Sequence, residues 1–148
     1  MDNNRRGVRC GLSGRAINEL LYFLSTIESN FYIPWQLAIE SRDMILPKEV
    51  RNVIASEQYI RSISKFTIWE LELHIYPYGK THQSFEIYED FLRSSCICCL
   101  IYYDCGWLSI YIKGDELFCQ IYDKLLCLQA EDLVILTEGN DSREALHL

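Results

Sequence analysis

The sequence predicts an α+β fold: one domain over residues 1–148, with a mixed or antiparallel sheet of about six to seven strands and three to four helices packed on it. Three observations carry this. The chain is 49% hydrophobic, only 24% charged and has three prolines, so it has material for one core and little for a linker. Helical and two-residue periodicities alternate along it, the first over Ala16–Leu24 and the second over Phe66–Tyr76. Its most apolar segments are joined by the short turn Asp104-Cys105-Gly106, which suits antiparallel neighbours.

In order, Arg6–Leu12 reads as a first strand, closed by Ser13-Gly14. Ala16, Ile17, Leu20, Leu21 and Leu24 then recur at helical spacing to about Thr26, with Ser13 as N-cap. Phe31–Ile39 is a strand that Pro34 assigns to an edge. A turn at Ser41-Arg42-Asp43 leads into Met44–Leu46 as its hairpin partner. Pro47 opens a helical stretch in which Val50, Val53 and Ile54 keep helical spacing towards Ser64. In the strand Phe66–Tyr76, Trp69, Leu71, Leu73 and Ile75 are expected to face a core, and Ile68, Glu70, Glu72 and His74 a mostly wet side. Ile87–Arg93 is a short helix. Cys96–Tyr103 is apolar on both faces, the pattern of a central strand covered on both sides. Trp107–Lys113 returns beside it, Leu117, Phe118, Ile121 and Leu125 form a helix capped by Asp115, and Leu133–Leu136 is the last strand.

The net charge is −7, and residues 81–148 hold four Lys/Arg against twelve Asp/Glu. Such an acidic half argues against nucleic acid, whose affinity depends on cationic side chains, and favours a protein partner, in particular a basic one. The longest apolar run, Cys96–Tyr103, is too short for a membrane span. Seven cysteines behind a polar, basic N-terminus without a secretory pattern imply a reducing, cytoplasmic setting.

Several groups invite chemistry. Cys96, Cys98 and Cys99 lie within one strand, with Cys96 and Cys98 on one face, so their spacing suits core filling better than a zinc site. Cys105 is the thiol expected at a turn, and His74, His82 and His147 are the available bases, yet no motif joins them and no catalytic residue is named. Phosphate-binding glycine loops are absent from the sequence, and no cofactor is implied. Glu70, Glu72 and His74, at alternate positions of one strand, are the metal-ligand candidates, with help from His82. Tyr103, Asp104, Trp107 and Tyr111 cluster around the central hairpin and combine aromatic and acidic character, as a partner hot spot or a ligand pocket would. Glu138–Arg143 fits an ordinary polar turn.

The segments Asn4-Arg5-Arg6-Gly7-Val8, Tyr76-Pro77, Ile87 through Leu92, Ser95-Cys96 and Asn140-Asp141-Ser142-Arg143 together resemble a family of short proteins of unknown function from spore-forming Gram-positive bacteria. The resemblance fades between Met44 and Lys65. It implies a bacterial cytoplasmic protein of about one domain and transfers no catalytic residue.

The leading expectation is a non-enzymatic, acidic binding protein of the inhibitor or immunity type that blocks a partner protein. Glu86, Glu89, Asp90, Asp104, Asp115 and Glu116 would supply its charge, and Trp107 and Tyr111 its anchors. Second comes a sponge or sensor for a small, nucleotide-like ligand, with Arg5, Arg6, Arg9 and Arg15 to meet an anion. Third comes a metal-dependent enzyme built on Glu70, Glu72 and His74.

Overall fold

The computed structural model describes residues 4–34, 37–40, 53–65, 67–80, 82–104 and 106–147, with backbone alone for 37–40 and 53–55. Along the chain run β1 (Gly7–Gly11), α1 (Gly14–Leu24), β2 (Asn30–Ile33), β3 (Leu37–Glu40), β4 (Val53–Ala55), α2 (Glu57–Ile63), β5 (Thr67–Tyr76), α3 (Tyr88–Arg93), β6 (Cys98–Tyr103), β7 (Trp107–Ile112), α4 (Asp115–Cys127) and β8 (Glu131–Leu136). The fold is α+β, with, among the described residues, four helices on one eight-stranded sheet ordered β4-β2-β5-β6-β7-β1-β8, and β3 also paired to β5. Every pairing among these strands is antiparallel. No helix among the described residues is long and apolar enough to cross a membrane.

Both faces of the sheet are covered, because β6 and its neighbours are apolar on both sides. On one face Leu73, Leu100, Ile110 and Val8 pack under α1, α2 and α4, which contribute Ile17, Leu20, Ile60, Phe118 and Ile121. On the other face Tyr76, Cys99, Ile101 and Tyr111 pack under Phe85, Phe91 of α3 and Leu146 near the C-terminus. The central position expected of Cys96–Tyr103 follows from this. Cys98 joins the first core, while Cys96, which precedes β6, joins Cys99 in the second rather than sharing the face of Cys98.

The Ser13 hydroxyl accepts the Ala16 amide at 3.1 Å and starts α1, as its sequence signature predicts. Asp115 does not cap α4. Gly114, at φ +82°, holds the cap position, where only a residue without Cβ turns easily, and the Asp115 carboxylate instead takes Arg5 at 2.5 Å. The expected strand Phe31–Ile39 divides at Pro34 into β2 and β3, which lie end to end along one edge of β5, opposite Asn30↔Tyr76 and Glu40↔Thr67. Val53 and Ile54 belong to a strand and not to a helix. Valine and isoleucine favour strands as residue types, the backbone of 53–55 pairs with β2, and the helix begins only at the Ser56 cap, whose hydroxyl accepts the Tyr59 amide. Together with the division at Pro34, this strand brings the count among the described residues to eight. The expected turn at 41–43 and strand at 44–46 lie outside the described residues.

β5 departs from simple alternation. Ala38 faces Glu70 and Ile39 faces Ile68, so Trp69 is an extra residue bulged out of the ladder. Ile68 thereby joins Leu71, Leu73 and Ile75 in the first core, and Trp69 is exposed. The second face of β5 is not wet. Glu72 is 0% and His74 1% exposed, covered by the chain after β5 and by the C-terminal segment.

Candidate metal centre

The protein has three histidines, and all three line one pocket of about 400 Å³ together with Tyr32 and Phe85. Each arrives from a different part of the chain. His74 is fixed by the β5 ladder opposite Tyr32 and Cys99. His82 follows the Pro77–Lys80 turn and stacks on Tyr32 with ring centroids 3.7 Å apart. His147 comes from the C-terminal segment, where the Leu146 amide donates to the Glu86 carbonyl at 2.9 Å and Arg143 donates to the His147 carbonyl at 2.9 Å.

Beneath the pocket, one oxygen of Glu72 takes two imidazoles. His74 Nε2 lies 2.7 Å and His147 Nδ1 3.0 Å from Glu72 Oε2. On its other side the His147 ring meets a second acceptor, its Nε2 lying 2.7 Å from the Phe85 carbonyl. A ring nitrogen facing an acceptor must carry a proton, so His147 with acceptors at both nitrogens is an imidazolium here. The electrostatics agree. Burial alone would push the Glu72 carboxyl up, but the hydrogen bonds from His147 and His74 outweigh it and bring it down to about 2. Burial holds His74 below its ordinary value, whereas the hydrogen bond to Glu72 raises His147. His74 is therefore neutral with its proton on Nε2, which leaves a lone pair on Nδ1. That atom is buried and has no partner. An unsatisfied buried acceptor costs about 1–3 kcal/mol, and its presence calls for a reason.

Donor atoms of Glu72, His74 and His147 all lie within 4.8 Å of one another. Two imidazoles and a carboxylate are a ligand set for zinc or another first-row divalent ion. Two donors each ~2.1 Å from one ion and at right angles to it are about 3 Å apart, close to the 2.7 and 3.0 Å observed. Phe85 plays the part that a backbone carbonyl has at many such sites, fixing the ring of a histidine ligand through its far nitrogen.

Of the metal-ligand candidates in the sequence, Glu72 and His74 are in this centre. Glu70 is half-buried and lies outside the cluster. His82 forms a wall, its ring centre 6.3 Å from that of His74. The ligand that spacing could not supply is His147, 75 residues from Glu72 along the chain.

The aromatic and acidic candidates do not form one surface. Tyr111 is fully buried, against Tyr88 and Phe91, and its hydroxyl donates to Asp141 at 3.0 Å; it belongs to the second core and is no surface anchor. Trp107, on the same strand, is 42% exposed and lines a separate depression of about 510 Å³ with Glu131 and Asp132. Tyr103 is half-buried beneath the Arg143 guanidinium. Asp104 turns the hairpin at φ +50°, and Cys105 lies outside the described residues. Asp90 pairs with Arg93 of the same helix. Glu89 and Asp115 line a cleft of about 560 Å³ that also holds Arg5, Arg6 and Lys113, so their charge is matched there. Glu116 is exposed on the first turn of α4, and exposed Glu86 comes within 3.6 Å of His147 Nε2.

The segments that carry the family resemblance meet around the second face. Arg6 lies over the Tyr88 ring and reaches Asp141 at 3.3 Å, and Asp141 also accepts the Arg143 amide. The 138–143 turn is thus a clasp on the C-terminal segment rather than an ordinary loop.

No solved structure matches the chain. It is 29% identical over 119 residues to a Bacillus subtilis (strain 168) protein described as "Uncharacterized protein YncE", covering 80% of this chain and 76% of that protein. Residues 12–147 match the model of the family described as "Protein of unknown function (DUF2691)", and the chain belongs to that family.

Proposed function

We propose that this protein binds a divalent first-row transition-metal ion in the bacterial cytoplasm, through Glu72, His74 and His147. One observation carries the reading: the three histidines of the chain, distant in sequence, converge on one pocket, and two of them share one oxygen of a buried carboxylate. The Phe85 carbonyl behind His147 supports it, since it would retain the Nε2 proton when Nδ1 gives its own up to an ion. Six cysteines among the described residues are free, consistent with a reducing compartment.

The test is metal content and melting of the purified full chain, first stripped with a chelator and then given Zn²⁺, Co²⁺ or Mn²⁺. One equivalent should be retained, with stabilisation of about 2.7 kcal/mol when the free ion reaches 100 times its Kd. His147→Ala should weaken retention about 100-fold, and Glu86→Gln should leave it unchanged. A wild-type protein that takes up none of these ions at micromolar concentration, with an unmoved melting temperature, refutes the reading.

A second reading, the acidic blocker of a basic partner, is favoured by Trp107, an exposed aromatic beside Glu131 and Asp132. Affinity capture from the native host should retain a stoichiometric protein with the wild type and lose it with Trp107→Ala. Equal retention by both would exclude this surface.

A further inference from the structure

Glu72, His74 and His147 give an ion three donors, and a first-row divalent ion takes four to six. Among the described residues these three form the one cluster of His, Cys, Asp and Glu able to share an ion. Glu86 is not a fourth donor, because it approaches His147 at Nε2, on the side of the ring away from Glu72. No other described residue supplies a donor, so the remaining positions are open to water or to a ligand that enters through the pocket.

Access is one-sided. Glu72 and His74 are sealed from solvent, and His147, with a side chain 21% exposed, is the ligand that opens outward. Both histidine ligands line the 400 Å³ pocket, a size within the range of small-molecule sites. Its walls are flat. Tyr32 and His82 form one stack, and Phe85 lies against the His74 ring with centroids 4.6 Å apart. Three protein donors leave at least one position of such an ion vacant, and the pocket beside both histidine ligands is where it can be reached. A dication coordinated by the Glu72 carboxylate and two neutral imidazoles keeps a net positive charge at the ion itself, which favours an anionic oxygen donor there, while the carboxylate lining the pocket, Glu86, is exposed to solvent at its rim.

We propose that the bound ion carries an exchangeable second ligand: a small, planar, anionic oxygen chelator of the α-hydroxy- or α-keto-carboxylate class, seated between the Tyr32–His82 stack and Phe85. This rests on the metal reading above and adds to it an open, ligand-accepting ion. The pocket is the shared site of both, with the ion at its floor and the chelator's flat body against its aromatic walls.

Cobalt(II) reports on its own coordination, so the full chain loaded with Co²⁺ is titrated with acetohydroxamate, a planar oxygen chelator. Visible absorption is followed, and protein-bound cobalt is measured after ultrafiltration. The expected result is a saturable spectral change at one chelator per protein, with cobalt still on the protein. His82→Ala should weaken the chelator about fivefold through the lost stacking surface, with cobalt affinity unchanged. An unresponsive spectrum overturns the proposal while leaving the metal reading intact. Cobalt stripped from the protein, or an unaltered chelator affinity in His82→Ala, does the same. Failure to bind cobalt at all removes the metal reading and this proposal together.

Discussion

Leu146 touches the ion site only through its chain neighbour, yet it decides whether His147 reaches Glu72. Its side chain is fully buried in the second core, and its amide is tied to the Glu86 carbonyl. Leu146→Ala should cost about 2–5 kcal/mol, the range for deleting a buried leucine side chain, read as a lower urea midpoint. Because the cavity opens beside His147, metal affinity should also fall about tenfold, although no ligand has changed; an affinity equal to wild type would show that Arg143 and the Phe85 carbonyl hold His147 unaided. Only part of this site was legible in the residues. Glu72 and His74 are two positions apart on a strand, a local spacing that sequence displays directly. His147 is a ligand because a tail folds over the second face, and that face reads as solvated if Glu72 and His74 are taken at their polarity. A buried Glu–His–His cluster costs little because each charge has a partner, so polarity in a strand does not by itself indicate exposure.

Among the elements, α1, β7 and α4 were readable because each obeys one period from end to end, and β6 because it is an unbroken apolar run. The failures sit where a period is interrupted. The Trp69 bulge moves Ile68 to the opposite face, and such an extra residue leaves no mark on an apolar strand. Val53–Ala55 keeps helical spacing by chance, and its pairing with β2 is a long-range fact. The edge strand β8 shows a device of another kind. The Ile135 carbonyl receives the Asn140 side-chain amide at 3.0 Å, while Asn140 Oδ1 accepts the Thr137 amide at 2.7 Å. One asparagine thus ends the strand and occupies an acceptor that could otherwise pair with another chain. The same turn delivers Asp141 to Arg6 and Tyr111, so finishing the sheet and securing the tail that bears His147 are one structural event.

The two-sided core carries a consequence for the whole molecule at alkaline pH. Cys10, Cys96, Cys98 and Cys99 are all buried against the sheet. Burial pushes Cys10 and Cys96 up to about 12 from an ordinary value of 9.0, and Cys98 and Cys99 well above it. The sign follows from proton counting. Above pH 9 the thiols of the unfolded chain lose their protons while those of the folded chain keep them, so the unfolded state binds fewer protons and stability falls as pH rises. Each such thiol contributes at most about 1.4 kcal/mol per pH unit. Because the unfolded thiols are only half titrated at pH 9, each removes about 1 kcal/mol between pH 9 and pH 10, and four acting together about 4 kcal/mol, a large share of the 5–15 kcal/mol typical of a domain. Urea midpoints measured in reducing buffer with a chelator present should therefore be flat with respect to these thiols from pH 7 to pH 8.5 and fall steeply above pH 9. Replacing Cys98 and Cys99 by Ala should roughly halve that slope, even as it lowers stability at neutral pH. A midpoint that holds from pH 9 to pH 10.5 would mean that the sheet admits water to its thiols. A face that admits water could not keep Glu72 and His74 in the dry setting that sets the charge state of the site.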